Sequence, residues 1–106
     1  MTVIRRGESG HGLVLVLRGR LELHGERADG SRVMLGAIGP GDYVGEVSLL
    51  ARAPASAQVV AAVESEILVL AAHDFYEITG AFPTLWAELR SVAERRTREH
   101  AQRLRS

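Results

Sequence analysis

Residues 39–57 read GPGDYVGEVSLLARAPASA, and their reading decides how the rest of the chain folds. Gly39, Pro40 and Gly41 have the composition of a tight turn, and Gly45 lets the backbone approach another group closely. Residues 46–50 are long enough for one short helix, whose free amide hydrogens would face an anion such as phosphate. The cradle lacks a partner charge, because Ala55 follows Pro54 at the place where a guanidinium would close over that anion.

Upstream of this segment the chain reads as strands. Along residues 13–24, Leu13, Leu15, Leu17, Gly19, Leu21 and Leu23 alternate with Val14, Val16, Arg18, Arg20, Glu22 and His24, the period of a strand with one buried face. Residues 25–30 have turn composition and residues 32–38 form a second apolar run, which predicts a hairpin. Thr2 to Ile4 also reads as strand, ended by Gly7, with its covering edge expected from a missing segment or another chain.

Downstream, residues 56–63 and 66–70 are β-branched runs separated by Glu64 and Ser65, predicting another hairpin. The pattern then turns helical: residues 74–79 form a short helix ended by Gly80, and Pro83 sits where a long final helix begins. Leu85, Trp86, Leu89, Val92 and Ala93 give that helix an apolar stripe, and Glu94/Arg98 and Glu99/Arg103 are four-apart ion pairs. The stripe fades after Ala93, so the first half is expected to pack and the second to project, fray or meet a partner. Strands followed by helices predict a mainly β chain, an antiparallel jelly roll or β-roll with helices at one end. Residues 1–82 form its core and residues 83–106 its C-terminal helix, within one domain.

Composition narrows the function classes. The 106 residues carry no net charge, so nothing global points to nucleic acid or an anionic membrane. Residues 90–106 hold six Arg against Glu94 and Glu99, and the interspersed acids read as a salt-bridged, solvated face. The absence of cysteine removes disulfides, thiolate metal sites and thiol nucleophiles, and fits a cytoplasmic location. No apolar run approaches the ~20 residues of a membrane span.

The combination Gly-Asp-aromatic-x-Gly-Glu-x-x-Leu-Leu followed by Pro-x-Ser-Ala, together with residues 4–19 as an early hairpin and 75–89 as closing helices, resembles the cyclic nucleotide-binding domain family. The likeness covers nearly the whole chain. It implies a double-stranded β-helix roll with a short phosphate-cassette helix, and a regulatory role. In this resemblance the ligand, cAMP or cGMP with cAMP favoured, or a related phosphate compound, meets Gly45, Glu46, Val47, Ser48, Ala55, Ser56 and Ala57. Glu46 takes the ribose 2′-hydroxyl, while Ser56 and the following amides take the phosphate.

Ala55 stands where the family has an arginine. Losing a charge-assisted contact of ~1.5–3 kcal/mol would weaken phosphate binding roughly ten- to a hundredfold. Arg52 is the candidate substitute, although Ala51 and Ala53 offer it no packing and a solvated charge is the simpler reading. The resemblance also implies that the family's N-terminal helix and first strand precede residue 1, that His11 replaces a turn aspartate, and that no DNA-reading segment follows the last helix. Trp86 or the tail arginines would be the groups to touch a base, although a tryptophan on this stripe is more simply core.

The alternative from a different class is a degenerate roll that binds no nucleotide and serves as a structural or oligomerisation module, in keeping with Ala55. In either case the partners expected are a small ligand, a second copy, or an output domain. A metalloenzyme on the same roll would need clustered imidazoles, whereas His11, His24, His73 and His100 are scattered and read as solvated, so no metal or other cofactor is expected. Ser48 and Ser56 have no triad partners, and a non-enzymatic role follows.

Overall fold

In the computed structural model, which describes residues 1–9 and 12–105, the chain runs β1 (Thr2–Ile4), β2 (Gly12–Arg18), β3 (Leu21–Glu26), β4 (Arg32–Ile38), β5 (Tyr43–Val44), α1 (Glu46–Ala51), β6 (Gln58–Ala61), β7 (Glu66–Ala71), α2 (Ala72–Ala81) and α3 (Pro83–Arg105). The expectation for His11 lies outside the described residues. The strands form two antiparallel sheets, β1-β6-β3-β4 and β5-β2-β7. This is the mainly β roll with C-terminal helices that the sequence predicts. No helix among the described residues is long and apolar enough to cross a membrane.

The β3–β4 hairpin forms as expected, with Leu21 opposite Ile38 and Glu26 opposite Arg32. Its turn closes through Gly30 at φ 87° and through Asp29, whose Oδ1 accepts from the Ser31 amide at 2.9 Å and the Ser31 hydroxyl at 2.6 Å. Those donors hold the Asp29 carboxyl below its ordinary value.

Residues 13–24 are not one strand with one buried face. Gly19, at φ 95°, breaks the run, and β2 and β3 enter different sheets. Within β2 the buried set inside the roll is Val14 and Val16, which pack with Leu21, Leu23, Leu35, Val44 and Val59. Leu13, on the other face, packs with Leu49, Phe75 and Leu89 beneath the helices, while Leu17 is exposed. Alternation cannot reveal this, because a strand covered on both faces loses its polar side.

The predicted hairpin between β6 and β7 is also absent. β6 pairs with β1 and β3, and β7 pairs with β2. Both connections, from β2 to β3 and from β6 to β7, change sheets side by side: the Arg20 amide donates to Ser65 Oγ at 3.2 Å and the Ala62 amide to the Arg20 carbonyl at 2.9 Å. The runs predict strands, but their partners are set by this paired crossing. β1 and β7 are sheet edges, and Val69, opposite the core residue Val14, remains half exposed.

The helices differ from expectation at their ends. α2 passes through Gly80 and stops at Phe82, whose extended backbone (φ −127°, ψ 85°) is what the residue before a proline adopts. The second half of α3 does not project. Leu89 and Ala93 are buried, Leu104 packs against the roll core, and between them Arg96 and His100 continue the inward stripe. Trp86 is 40% exposed, with the Arg90 guanidinium 5.2 Å from its ring centroid, so it is not core. On α3 the four-apart pairs are Arg90–Glu94 and Arg95–Glu99, so each glutamate pairs with the arginine four residues before it and not with the predicted one four after.

Gly45 is required by the fold itself. It sits at φ 111°, and a Cβ there would lie 2.7 Å from the Gly12 carbonyl oxygen of β2. The left-handed backbone costs an L-residue ~1–2 kcal/mol and the contact adds to it. Gly45→Ala is therefore expected to lower stability in urea titration by at least about 2 kcal/mol. Gly36→Ala, at a site with open space around it, serves as a neutral control; equal effects of the two would contradict a special role for Gly45.

Candidate functional site

The turn expected at residues 39–41 forms. The Gly39 amide donates to Asp42 Oδ2 at 3.0 Å, the Asp42 amide to the Gly39 carbonyl at 3.0 Å, and Gly41 at φ 90° donates to the Val16 carbonyl at 2.9 Å. This lays β5 against β2 and delivers Gly45 and α1 to the open end of the roll. α1 is only six residues long, too short to persist alone. It is held by Leu49 in the helix-side core and by the Tyr76 hydroxyl, which donates to the Leu49 carbonyl at 2.6 Å.

Gly45, Glu46, Val47, Ser48, Ala55, Ser56 and Ala57 all line one cavity of about 50 Å³, together with Ile4, Leu23, Val44, Val59, Arg96 and His100. A second space of about 130 Å³ adjoins it and shares Ile4, Gly45, Ser48 and Ala55. The residues singled out in the sequence are thus brought together, with the exception of Arg52. That residue, at φ 50° just after α1, lies with its guanidinium 4.2 Å from the centroid of the Tyr76 ring. Tyr76 supplies the packing that Ala51 and Ala53 could not, and it directs the charge away from the cavity lining.

Glu46 is completely buried and is bonded by Arg96, Nη1 to Oε1, at 2.5 Å. Arg96 is itself only 18% exposed, so it is not part of a solvated tail. Its guanidinium also lies 5.3 Å from the Tyr43 ring centroid. Burial, and then the Glu46 charge, push the Tyr43 phenol above its ordinary value. Glu46 Oε2 is buried and has no hydrogen-bond partner among the described residues.

The other wall is a loop closed on itself. The Ala55 amide donates to the Glu8 carbonyl at 2.8 Å, the Gly7 amide to the Ala55 carbonyl at 2.8 Å, and the Ser48 hydroxyl to the Ala53 carbonyl. Ser48 and the Ala55 amide are therefore committed to the protein. His100 is a site residue that sequence reasoning missed, and Arg96 entered it only among the tail arginines, without its pairing to Glu46. Their signal was the spacing: Leu89, Ala93, Arg96, His100 and Leu104 continue one helical face, with polar groups replacing apolar ones in its middle.

The imidazoles are not uniformly solvated. His24 keeps 16% side-chain exposure beside Glu22, and His100 is partly buried at the cavity. His73, Asp74 and Glu77 hold donor atoms within 4.8 Å of one another, but all three are exposed on the first turns of α2 and none lines the cavity.

Residues 1–81 match the family described as "Cyclic nucleotide-binding domain". The chain belongs to this family. It is 32% identical over 97 residues to the cyclic AMP receptor protein of Thermus thermophilus, covering 92% of this chain and 45% of that protein. The crystal structure of the Thermus thermophilus catabolite activator protein superposes with a TM-score of 0.82 at 31% identity, over 97% of this chain and 48% of that one. The regulatory subunit of a cAMP-independent protein kinase A from Trypanosoma cruzi, bound to guanosine, superposes with a TM-score of 0.71 at 29% identity, over 74% of this chain and 28% of that one. The chain therefore spans less than half the length of each of these three relatives.

Two outcomes test this geometry. Removing one member of a buried pair costs ~3–5 kcal/mol. Because Arg96 keeps some exposure, Arg96→Met is expected to lower stability by about 3 kcal/mol, and adding Glu46→Gln is expected to recover at least half of that loss. Additive losses in the double-variant cycle would refute the coupling.

The second outcome concerns pH. Burial, and then the charge of Arg96, hold the His100 imidazole below its usual 6.5, with Glu99 opposing and Arg103 adding a smaller push down. The unfolded chain takes up this proton near pH 6.5 and the folded chain only below it, so His100 favours the fold fully above 6.5 and stability declines as pH falls through the window beneath. His100→Gln should flatten that decline when urea midpoints are compared at about pH 7.5 and about pH 5; an unchanged slope counts against it.

Proposed function

We propose that the chain is a non-catalytic, ligand-sensing regulatory module. It takes the ribose of a cyclic nucleotide, cAMP or cGMP, or of a related nucleoside against Glu46, and relays occupancy through α3. The observation that carries this reading is the convergence of the cassette residues on one cavity whose facing wall, Arg96 and His100, belongs to α3. The bare Glu46 Oε2 supports a hydroxyl donor as occupant, since a buried acceptor without a donor costs ~1–3 kcal/mol, more for a charged group. The Thermus relative is a cyclic AMP receptor protein and the Trypanosoma subunit is bound to guanosine, and both support a nucleoside-bearing ligand.

The cavity of about 50 Å³ is small beside the roughly 300–1,000 Å³ of sites that enclose small molecules. Admitting a nucleoside therefore draws on the adjoining space of about 130 Å³ and shifts His100 and the end of α3, while Arg96 keeps its bond to Glu46 Oε1. That displacement is the relay, and its free energy is the difference in ligand affinity between the two positions of the helix. The receiver is an output domain or a second copy contacted by α3, in a cytoplasmic protein.

Calorimetry of the chain with cAMP, cGMP, adenosine and guanosine is expected to give saturable binding for at least one of them. Because the chain has no cysteine, a fluorophore on Arg103→Cys, in the last turn of α3, is expected to respond to that ligand. Glu46→Gln should weaken that ligand roughly ten- to a hundredfold. A folded chain silent to all four would favour the degenerate module, the reading to which Ala55 lends itself.

A further inference from the structure

We infer that the cavity selects an uncharged nucleoside, held through a ribose hydroxyl, over the cyclic phosphate ester of the same nucleoside. This narrows, and rests on, the reading of Glu46 as the ribose acceptor.

The charges facing the cavity lead to it. Among the described residues lining it, Glu46 and Arg96 are the charged groups, and they are bonded to each other. The site therefore has no net charge from this pair. His100 adds none above its lowered titration range. Glu46 Oε2 is a buried carboxylate oxygen with no donor. Such an atom attracts a neutral hydroxyl and repels an anion.

At the other end of the cavity, each cation that could offset a phosphate, and each donor other than those of Ser56 and Ala57, is missing or engaged. Ala55 presents a methyl group, and its amide hydrogen is taken by the Glu8 carbonyl at 2.8 Å. The Ser48 hydroxyl is taken by the Ala53 carbonyl. The Arg52 guanidinium is held 4.2 Å from the Tyr76 ring centroid. A phosphate entering here loses its hydration without gaining a cation. Recruiting Arg96 would leave Glu46 as a buried carboxylate without its counter-charge, replacing one unbalanced charge by another.

A nucleoside avoids both penalties. One ribose hydroxyl satisfies Oε2, and a 5′-hydroxyl needs no cation where Ser56 and Ala57 line the wall.

Calorimetry on the full chain with matched pairs, adenosine against cAMP and guanosine against cGMP, tests the inference, with 2′-deoxyadenosine as the ribose control. The nucleoside is expected to bind at least about tenfold more tightly than its cyclic ester, and removal of the 2′-hydroxyl to weaken it by at least about tenfold. Ala55→Arg is expected to raise cyclic-nucleotide affinity roughly ten- to a hundredfold while nucleoside affinity stays within about threefold. A cyclic ester that binds wild type more tightly than its nucleoside overturns the inference and leaves the proposed function standing. If wild type is silent toward every compound while Ala55→Arg binds cAMP, the inference and the proposed function both fall for the wild-type chain. Silence of both folded proteins toward every compound overturns the proposed function, and the inference with it.

Discussion

Glu46 has no exposed surface, and a carboxylate so placed needs a counter-charge close by. It comes from Arg96, fifty residues along the chain, and much else is arranged around that need. α1 can present Glu46 inward only because Gly45 takes a left-handed backbone against the Gly12 carbonyl. α3 can deliver Arg96 only because Pro83 ends α2 and restarts the helix in a direction that buries Leu89 and Ala93. The pair thus joins the cassette to the terminal helix across the mouth of the roll. In net free energy such a pair is close to balanced, because stripping water from both ions offsets most of their attraction. What it fixes is position.

Position is also what the proposed relay would need. In it, ligand and α3 would meet at one carboxylate: Arg96 occupies Oε1 and leaves Oε2 bare. A ligand on Glu46 therefore alters the surroundings of Arg96, and by linkage anything that moves α3 alters the affinity for ligand by the same factor.

How much of this was legible in the sequence depended on the range of the interaction. The turn at Gly39 to Gly41, the short helix after it and the β3–β4 hairpin are local, and their residues predict them. The cassette residues are legible because they are nearly contiguous, and one turn and one loop bring them together. Strand partners were not legible for β6 and β7, since an apolar run reads the same whichever sheet receives it. In β2 the alternation predicted one buried face, whereas both are covered, Leu13 by the helices and Val14 and Val16 within the roll. The pairing of Arg96 escaped notice for a related reason. Between Arg95 and Glu99 this residue looks like one more charge on a solvated helix, and only the register set by Leu89 and Ala93 distinguishes it.

That register explains why the second half of α3, and not the first, is suited to move. Leu89 and Ala93 are held by apolar burial, which weakens only when the contact is lost. Arg96 and His100 are held by polar and charged contacts whose net worth is small and whose groups are readily solvated on release. Leu104 alone resumes the apolar stripe beyond them, against Gly25 and Leu35. Under the proposed relay, a helix anchored through Ala93 and nearly balanced beyond it would hinge at the cavity wall, and a ligand of modest differential affinity would shift the helix end without unfolding the roll.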